Sequence, residues 1–413
     1  MRLASGIALV SLFLVLLACE PPAVDVEQPP PAVDRDTSLT AEGGRATSTD
    51  LQLDDAWPLF RGDPAATGVA LGELPAEPQL LWTFSTDDGG FEATAAIANC
   101  MVYVGSTDGQ LYAIHLHNGK KAWEHATELG FVTAPGVYNG RVYIGDDDGR
   151  FHCLDAKTGE PLWHHDAEAE INSAANFHRG NVLFGSQDSI LYCLEARTGK
   201  LVWKFQSDDQ IRCSPSIVGD RAFVAGCDGE LHVIDLNKGT QTKAVPLDSP
   251  TGCTPALTGP GKTPDGKPSP GMAYIGTEGG VLLAVDWQSG RVAWTYSNPE
   301  RTLSIRSSAA ITTRAVLVGA RDKSLHAVDR TTGRSLWTFP TRGRIDGSPV
   351  VVGWRVFVGS ADGRLYAVEL ATGKLSWQYE TGGSITASPA VAAGRLVIGS
   401  DDGDLFCFGE ESP

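Results

Sequence analysis

Few positions in this 413-residue chain carry side chains suited to chemistry, and their spacing narrows what that chemistry is. Glu92, Asn172, Arg212, Arg306 and Asp346 recur in one column, each one residue after a leading apolar or threonine position; the other members are Val132, Gly252 and Thr386. A column mixing carboxylates, an amide and guanidiniums can pair internally, meet a partner of complementary charge, or line a reaction centre. The runs Asp146-Asp147-Asp148 and Asp401-Asp402 supply oxygen donors of the kind calcium takes. They fall on the same turn as Asp108, Asp188 and Asp362 and lack the spacing of an EF-hand loop, so turn chemistry accounts for them and no metal site is expected. There is no His/Cys cluster with zinc spacing, no Gly-x-Ser-x-Gly and no Walker loop. Eight cysteines stand at 19, 100, 153, 193, 213, 227, 253 and 407. With Cys19 set aside, seven remain, so a fully paired framework is impossible. Cys213 and Cys253 hold equivalent positions on adjacent strands, and a bridge between them stays open if those strands approach closely enough.

The elements that must hold this column follow from self-similarity. A Gly-(Ser/Thr)-x-Asp-Gly-x-Leu-(Tyr/His)-Ala core recurs eight times, beginning at Gly105, Gly145, Gly185, Ala225, Gly276, Gly319, Gly359 and Gly399. Tryptophan recurs with it at Trp82, Trp123, Trp163, Trp203, Trp294, Trp337 and Trp377, and Lys243 stands where the fourth unit would carry one. Each unit reads as four short strands. In the seventh these are 345–352, 355–359, 364–370 and 374–379, separated by Gly353-Trp354, Ala361-Asp362-Gly363 and Ala371-Thr372-Gly373. Alternation such as Leu365, Ala367, Glu369 marks half-buried strands, and Asp-Gly and Thr-Gly supply turns that need a positive φ. The expected fold is all-β: an eight-bladed propeller of four-stranded antiparallel blades. The last unit ends at Cys407-Phe408 without a Trp strand, and a spare one, Leu80 to Phe84, precedes the first; their union closes the ring. An insertion, Gly259–Gly271, falls between the first and second strands of the fifth unit and is placed as a loop on one rim.

Composition fits that architecture. With 42% hydrophobic residues, 47 Gly and 10 Trp the chain is too apolar and aromatic for disorder. Its net charge of −17 argues against electrostatic binding to nucleic acid or anionic lipid. At the N-terminus, Met1-Arg2 precedes an apolar run, Leu3 to Ala18, that has the form of a secretory signal. Residues 20–55 are rich in Pro, Asp, Thr and Ser, with too few large apolar residues to fold, and read as a tether. The expected organisation is a signal over 1–18, Cys19 and tether over 19–55, a segment packing on the propeller over 56–79, and the propeller over 80–409.

Three motifs carry a resemblance to known families. Leu16-Leu17-Ala18-Cys19 resembles the lipobox of bacterial lipoproteins, which implies lipidation of Cys19 and, with Glu20 following, delivery to an outer membrane facing the periplasm. Ala-x-Asp/Glu-x-x-x-Gly-x-x-x-Trp, met by Ala284 to Trp294, Ala327 to Trp337 and Ala367 to Trp377, looks like the tryptophan-docking motif of quinoprotein dehydrogenases and related repeat propellers. Cys153 and Cys193 replace its Ala in two further copies. Trp57-Pro58-x-Phe60-Arg61-Gly62-Asp63 resembles the opening of quinone-type repeat propellers and implies that Trp57 and Phe60 pack on the ring.

The dehydrogenase likeness implies pyrroloquinoline quinone and calcium on the axis. Against it, Arg212 stands where that family expects an Asp base, no two cysteines are adjacent, and the long enclosing insertions are missing. Signal, tether and eight ~40-residue repeats together resemble the BamB family of accessory lipoproteins of the outer-membrane β-barrel assembly machine. That likeness implies a monomeric interaction scaffold with no catalytic residue and no cofactor, whose partner is the barrel-assembly core or another envelope protein. Two surfaces then compete for the partner. One is the channel mouth with Glu92, Asn172, Arg212, Arg306 and Asp346. The other is the opposite rim, with Trp287 and Trp354 on turns.

Overall fold

Each repeat folds back on itself because its turns carry glycine or Asp-Gly while its strands alternate apolar and polar residues. In the seventh, Val350–Val352, Arg355–Ser360, Arg364–Glu369 and Leu375–Glu380 pair antiparallel in sequence order. The computed structural model describes residues 56–262 and 268–411; the signal segment, Cys19 and the tether expected over 1–55 lie outside the described residues. Eight such sheets form an all-β propeller. Blade 8 is composite: Gln79–Ser85 pairs antiparallel with Asp404–Gly409, Trp82 opposite Cys407, so the two ends of the chain close the ring. The insertion in blade 5 carries a two-stranded ribbon, Gly261–Lys262 with Pro268–Ser269.

Two interactions join the blades. Six tryptophans, Trp82, Trp123, Trp163, Trp203, Trp294 and Trp337, donate their indole N–H at 2.9–3.1 Å to a carbonyl of the next blade. Each lies over a turn glycine of that blade; at Gly373 (φ 70°) an added Cβ would stand 2.7 Å from the Trp337 ring. Lys243 takes the missing tryptophan's place, its Nζ donating to the Gln288 carbonyl beside Gly290. Trp377 faces blade 8, whose outer strand comes from the other end of the chain, and packs edge-to-face on Phe408 at 5.5 Å. Nearer the axis, a hydroxyl girdle links blades through backbone amides. Ala174 N–H donates to Ser214 Oγ, Ser214 to Thr254, Thr254 to Ser308, Ser308 to Ser348, Ser348 to Ser388, and Ser388 to Thr94, at 2.8–3.3 Å. The last of these spans the seam where the ring closes.

Segment 57–70 makes a circuit of the hub. Trp57 and Ile97 of blade 1 exchange backbone hydrogen bonds at 2.8 and 2.9 Å. Val137 of blade 2 then donates to Pro58 O, Ile217 of blade 4 to Pro64 O, Leu257 of blade 5 to Ala65 O, Ile311 of blade 6 to Thr67 O, and Val351 of blade 7 to Gly68 O. Blade 3 is reached through Asn176, whose Nδ2 donates to Pro64 O at 2.9 Å. Val69–Ala70 finally adds as a parallel strand to the inner edge of blade 7. Trp57 and Leu59 are buried, as are Ala66, Val69 and Ala70 further along the segment, whereas Phe60 is only half-buried: the turn closed by the Gly62 amide on Leu59 O at 2.9 Å sends Leu59, not Phe60, into the hub.

Cys213 and Cys253 are both free thiols. Cys213 Sγ accepts the Ala225 amide within its own blade and Cys253 Sγ donates to Ile305 O, so the two sulfurs are engaged elsewhere and no bridge joins them. Burial pushes both thiols up to about 12. Cys153, Cys193 and Cys407 fill the small buried slot opposite Trp163, Trp203 and Trp82.

Candidate interaction surface at the hub mouth

Every inner strand starts at one face of the ring and ends at the other. The N-terminal segment bonds near the far ends, at Ile97, Val137, Ile217, Leu257, Ile311 and Val351. The column Glu92, Val132, Asn172, Arg212, Gly252, Arg306, Asp346, Thr386 lies at the near ends, on the face the segment does not cross. A second column interleaves with it. It is the x of the Gly-(Ser/Thr)-x-Asp-Gly core: Thr107, Asp147, Gln187, Cys227, Glu278, Arg321, Ala361 and Asp401. In every blade the amide of this residue donates to the loop entering the same blade, for example Asp147 N–H to Gly130 O and Gln187 N–H to Glu170 O, which aims its side chain at the mouth.

The two columns lock across blade boundaries, with a sequence offset of 25 residues in three of four cases. Asn172 Nδ2 donates to Asp147 Oδ1 at 3.3 Å. Arg212 Nη2 donates to Gln187 Oε1 at 3.2 Å, and Gln187 in turn donates to Asn172 Oδ1. Arg306 Nε meets Glu278 Oε1 at 2.9 Å, an offset of 28. Arg321 reaches Asp346 through Nε at 2.7 Å and Nη2 at 3.1 Å, and Arg344 Nε takes the second Asp346 oxygen at 2.7 Å. Four of the five residues expected at the mouth, Asn172, Arg212, Arg306 and Asp346, are thus held by a neighbour, while the exposed Glu92 lies among the carboxylates of Asp401 and Asp147. Sequence reasoning missed the partner column because its residues differ in type from blade to blade; the signal was the variable x inside an otherwise regular core.

Charge is unevenly distributed round the opening. Asp401, Glu92, Asp147 and Glu170 lie on blades 8, 1, 2 and 3, while Arg212, Arg306, Arg321 and Arg344 lie on blades 4, 6 and 7, with Glu278 and Asp346 paired to arginines among them. Partial burial, then the carboxylates of Asp401 and Asp147, hold the Glu92 carboxyl above the ordinary range. Burial, Asp146 and Glu170 do the same to Asp147, with the Asn172 amide opposing. For Asp346 burial pushes up, but hydrogen bonds from Arg321 and Arg344 outweigh it and hold the carboxyl below its usual value.

The opposite rim is less available than the sequence suggests. Trp287 is only 4% exposed: its Nε1 donates to Thr258 O at 3.1 Å, and it packs edge-to-face on Phe223 at 5.1 Å and over Gly271. Gly271, Phe223 and Arg221 enclose it, so it offers no exposed ring to a partner. Trp354 is half-buried beside the Arg355 guanidinium, 4.9 Å from its ring centre. Arg355 in turn donates to the carbonyls of Leu74, Pro75 and Ala76, clamping the chain as it leaves the hub.

The family model described as outer membrane protein assembly factor BamB matches residues 74–179, 172–321 and 267–407, which together run through all eight repeats. The chain belongs to the BamB family. No curated protein sequence matches it. Among solved structures, BamB from Moraxella catarrhalis is similar at 20% identity and a TM-score of 0.67, over 81% of this chain and 98% of that one. Quinohemoprotein alcohol dehydrogenase from Comamonas testosteroni is similar at 16% identity and 0.74, over 87% and 82%. A europium-containing methanol dehydrogenase reaches 0.73 at 15% identity, over 87% and 99%. At these identities the structures share the fold.

A quinone and its metal do not fit the residues at this mouth. Among the described residues, no group of three His, Cys, Asp or Glu is placed to hold a metal ion. The Asp346 carboxylate is taken up by two arginines, Asn172 is bonded to Asp147 and Gln187, and Arg212 projects from the strand next to Asn172.

Proposed function

We propose that this BamB-family propeller is a non-catalytic scaffold of the bacterial cell envelope that binds protein partners in outer-membrane protein assembly, through the charged mouth of its hub. The observation that carries the reading is the family match across all eight repeats. Its companion is physical: one face of the hub is crossed by the chain's own segment, leaving the mouth as the axial surface where exposed Arg212, Arg306 and Glu92 can meet complementary charge. In this reading Cys19 carries the lipid that anchors the protein to the outer membrane on its periplasmic side, the partner is the barrel-assembly core, the propeller acts as a monomer, and the acidic chain binds no nucleic acid.

Mild crosslinking and affinity capture from membranes tests this. The barrel-assembly core is expected to co-purify. Recovery of only unrelated envelope proteins would turn the reading toward a general binding propeller. Titration with pyrroloquinoline quinone and Ca²⁺ is expected to give no absorbance shift and no dye-linked alcohol oxidation.

A further inference from the structure

We propose that the hub is a peptide-binding site, and that residues 57–70 are its ligand, held in cis: a segment that opens Trp-x-Leu-x-Arg-Gly and turns at 59–62 and 63–66 before ending in a strand. Three observations carry this. First, recognition of the backbone is distributed. Inner strands of six blades donate one amide each to carbonyls of the segment, and a seventh blade reaches it through the Asn176 side chain. Main-chain bonding recognises a peptide whatever its side chains, and here it ends in a short strand added to blade 7.

Second, alternate side chains enter separate pockets. Trp57 joins Ile97 and Val391 in one apolar cluster, and Leu59 joins Tyr138 and Phe177 in another. Arg61, with 0% exposure, donates through Nη2 to Ala309 O at 3.1 Å and Pro349 O at 2.6 Å. Separate pockets for named side chains give a bound peptide its specificity. Third, the segment needs its glycines. Gly62 (φ 87°) would put a Cβ 2.6 Å from the Trp57 ring, and Gly68 (φ 68°) would put one 1.9 Å from Arg61 Nη2. The arm is therefore recognised through sequence as well as covered by it, and its exit, with Leu71 41% exposed, is the natural place to separate ligand from receptor.

The test uses the full chain with a protease site inserted between Gly72 and Glu73, cleaved after folding. The N-terminal piece is expected to co-elute with the propeller on gel filtration. A fluorescent synthetic peptide of residues 56–70 is then expected to exchange into the hub and saturate. The same peptide carrying Arg61→Ala should bind about tenfold or more weakly, as loss of charge-assisted bonds in a buried site requires. Exchange is followed in water and in urea below the unfolding midpoint. Departure of the piece from a propeller that stays folded yet takes up no peptide would overturn the proposal. So would absence of exchange under every condition that preserves the fold, or unfolding on cleavage that excess peptide does not reverse. The result is independent of what the mouth binds.

Discussion

Arg321 and Asp346, on neighbouring blades, face each other at the hub mouth through two hydrogen bonds of 2.7 and 3.1 Å, and Arg344 closes on the same carboxylate at 2.7 Å. A carboxylate gripped by two guanidiniums is a fixed point, and it sets the geometry of the basic half of the opening.

Asp346 is held below its usual range, so it binds fewer protons than the unfolded chain as pH falls past about 4. Its stabilisation is present above that value and lost as pH drops through the lower folded value. Asp346→Asn is expected to cost about 1–3 kcal/mol at pH 7. The deficit should shrink as the pH falls below about 4, which urea melts at pH 7 and in acid would show.

Glu92 behaves in the opposite sense. Burial and its carboxylate neighbours raise it, so the folded chain holds its proton longer, and stability falls as pH climbs from the ordinary carboxylate value to the raised one. Glu92→Gln should therefore raise the melting temperature at pH 7 and have no such effect below about pH 4. A lower melting temperature at pH 7 would mean that Glu92 has a cationic partner.

The docking tryptophans give a paired prediction. Trp337→Ala removes an inter-blade bond and the contact over Gly373, and about 3–5 kcal/mol is expected to be lost. Lys243→Trp restores the repeat's own residue over Gly290 and should gain about 0.5–2 kcal/mol. Chemical denaturation of both variants measures the pair.

Much of this was legible in the sequence because the repeat displays it eight times. Strand order, the composite blade 8 and the place of each docking tryptophan follow from spacing alone. The mouth column could be named, since Glu92, Asn172, Arg212, Arg306 and Asp346 share one position per repeat. What spacing could not give is whatever appears once. The path of residues 57–70 has no second copy to align, and its carbonyls, which make the contacts, leave no trace in residue type. The burial of Trp287 against Phe223, Arg221 and Gly271 likewise occurs in one blade only. The hydroxyl girdle was visible as Ser or Thr two residues after the mouth column, but Ala134 and Ala174 interrupt it.

The thiols offer a check on the core. Cys153 is pushed up to about 11 and Cys193, Cys213, Cys253 and Cys407 to about 12, all by burial, so at pH 8 they stay protonated and shielded. Cys100 is exposed on a blade 1 turn. Ellman's reagent should therefore modify Cys100 first, while the five buried thiols react only after denaturant is added.

The most direct measurement of the central claim is capture of the barrel-assembly core from membranes by the wild-type chain and by an Arg212→Glu/Arg306→Glu variant, each with its melting temperature. Reduced capture with an unchanged melting temperature is predicted, because both side chains are exposed at the mouth. Full capture by the charge-reversed chain, or loss of capture only in step with loss of the fold, would contradict it.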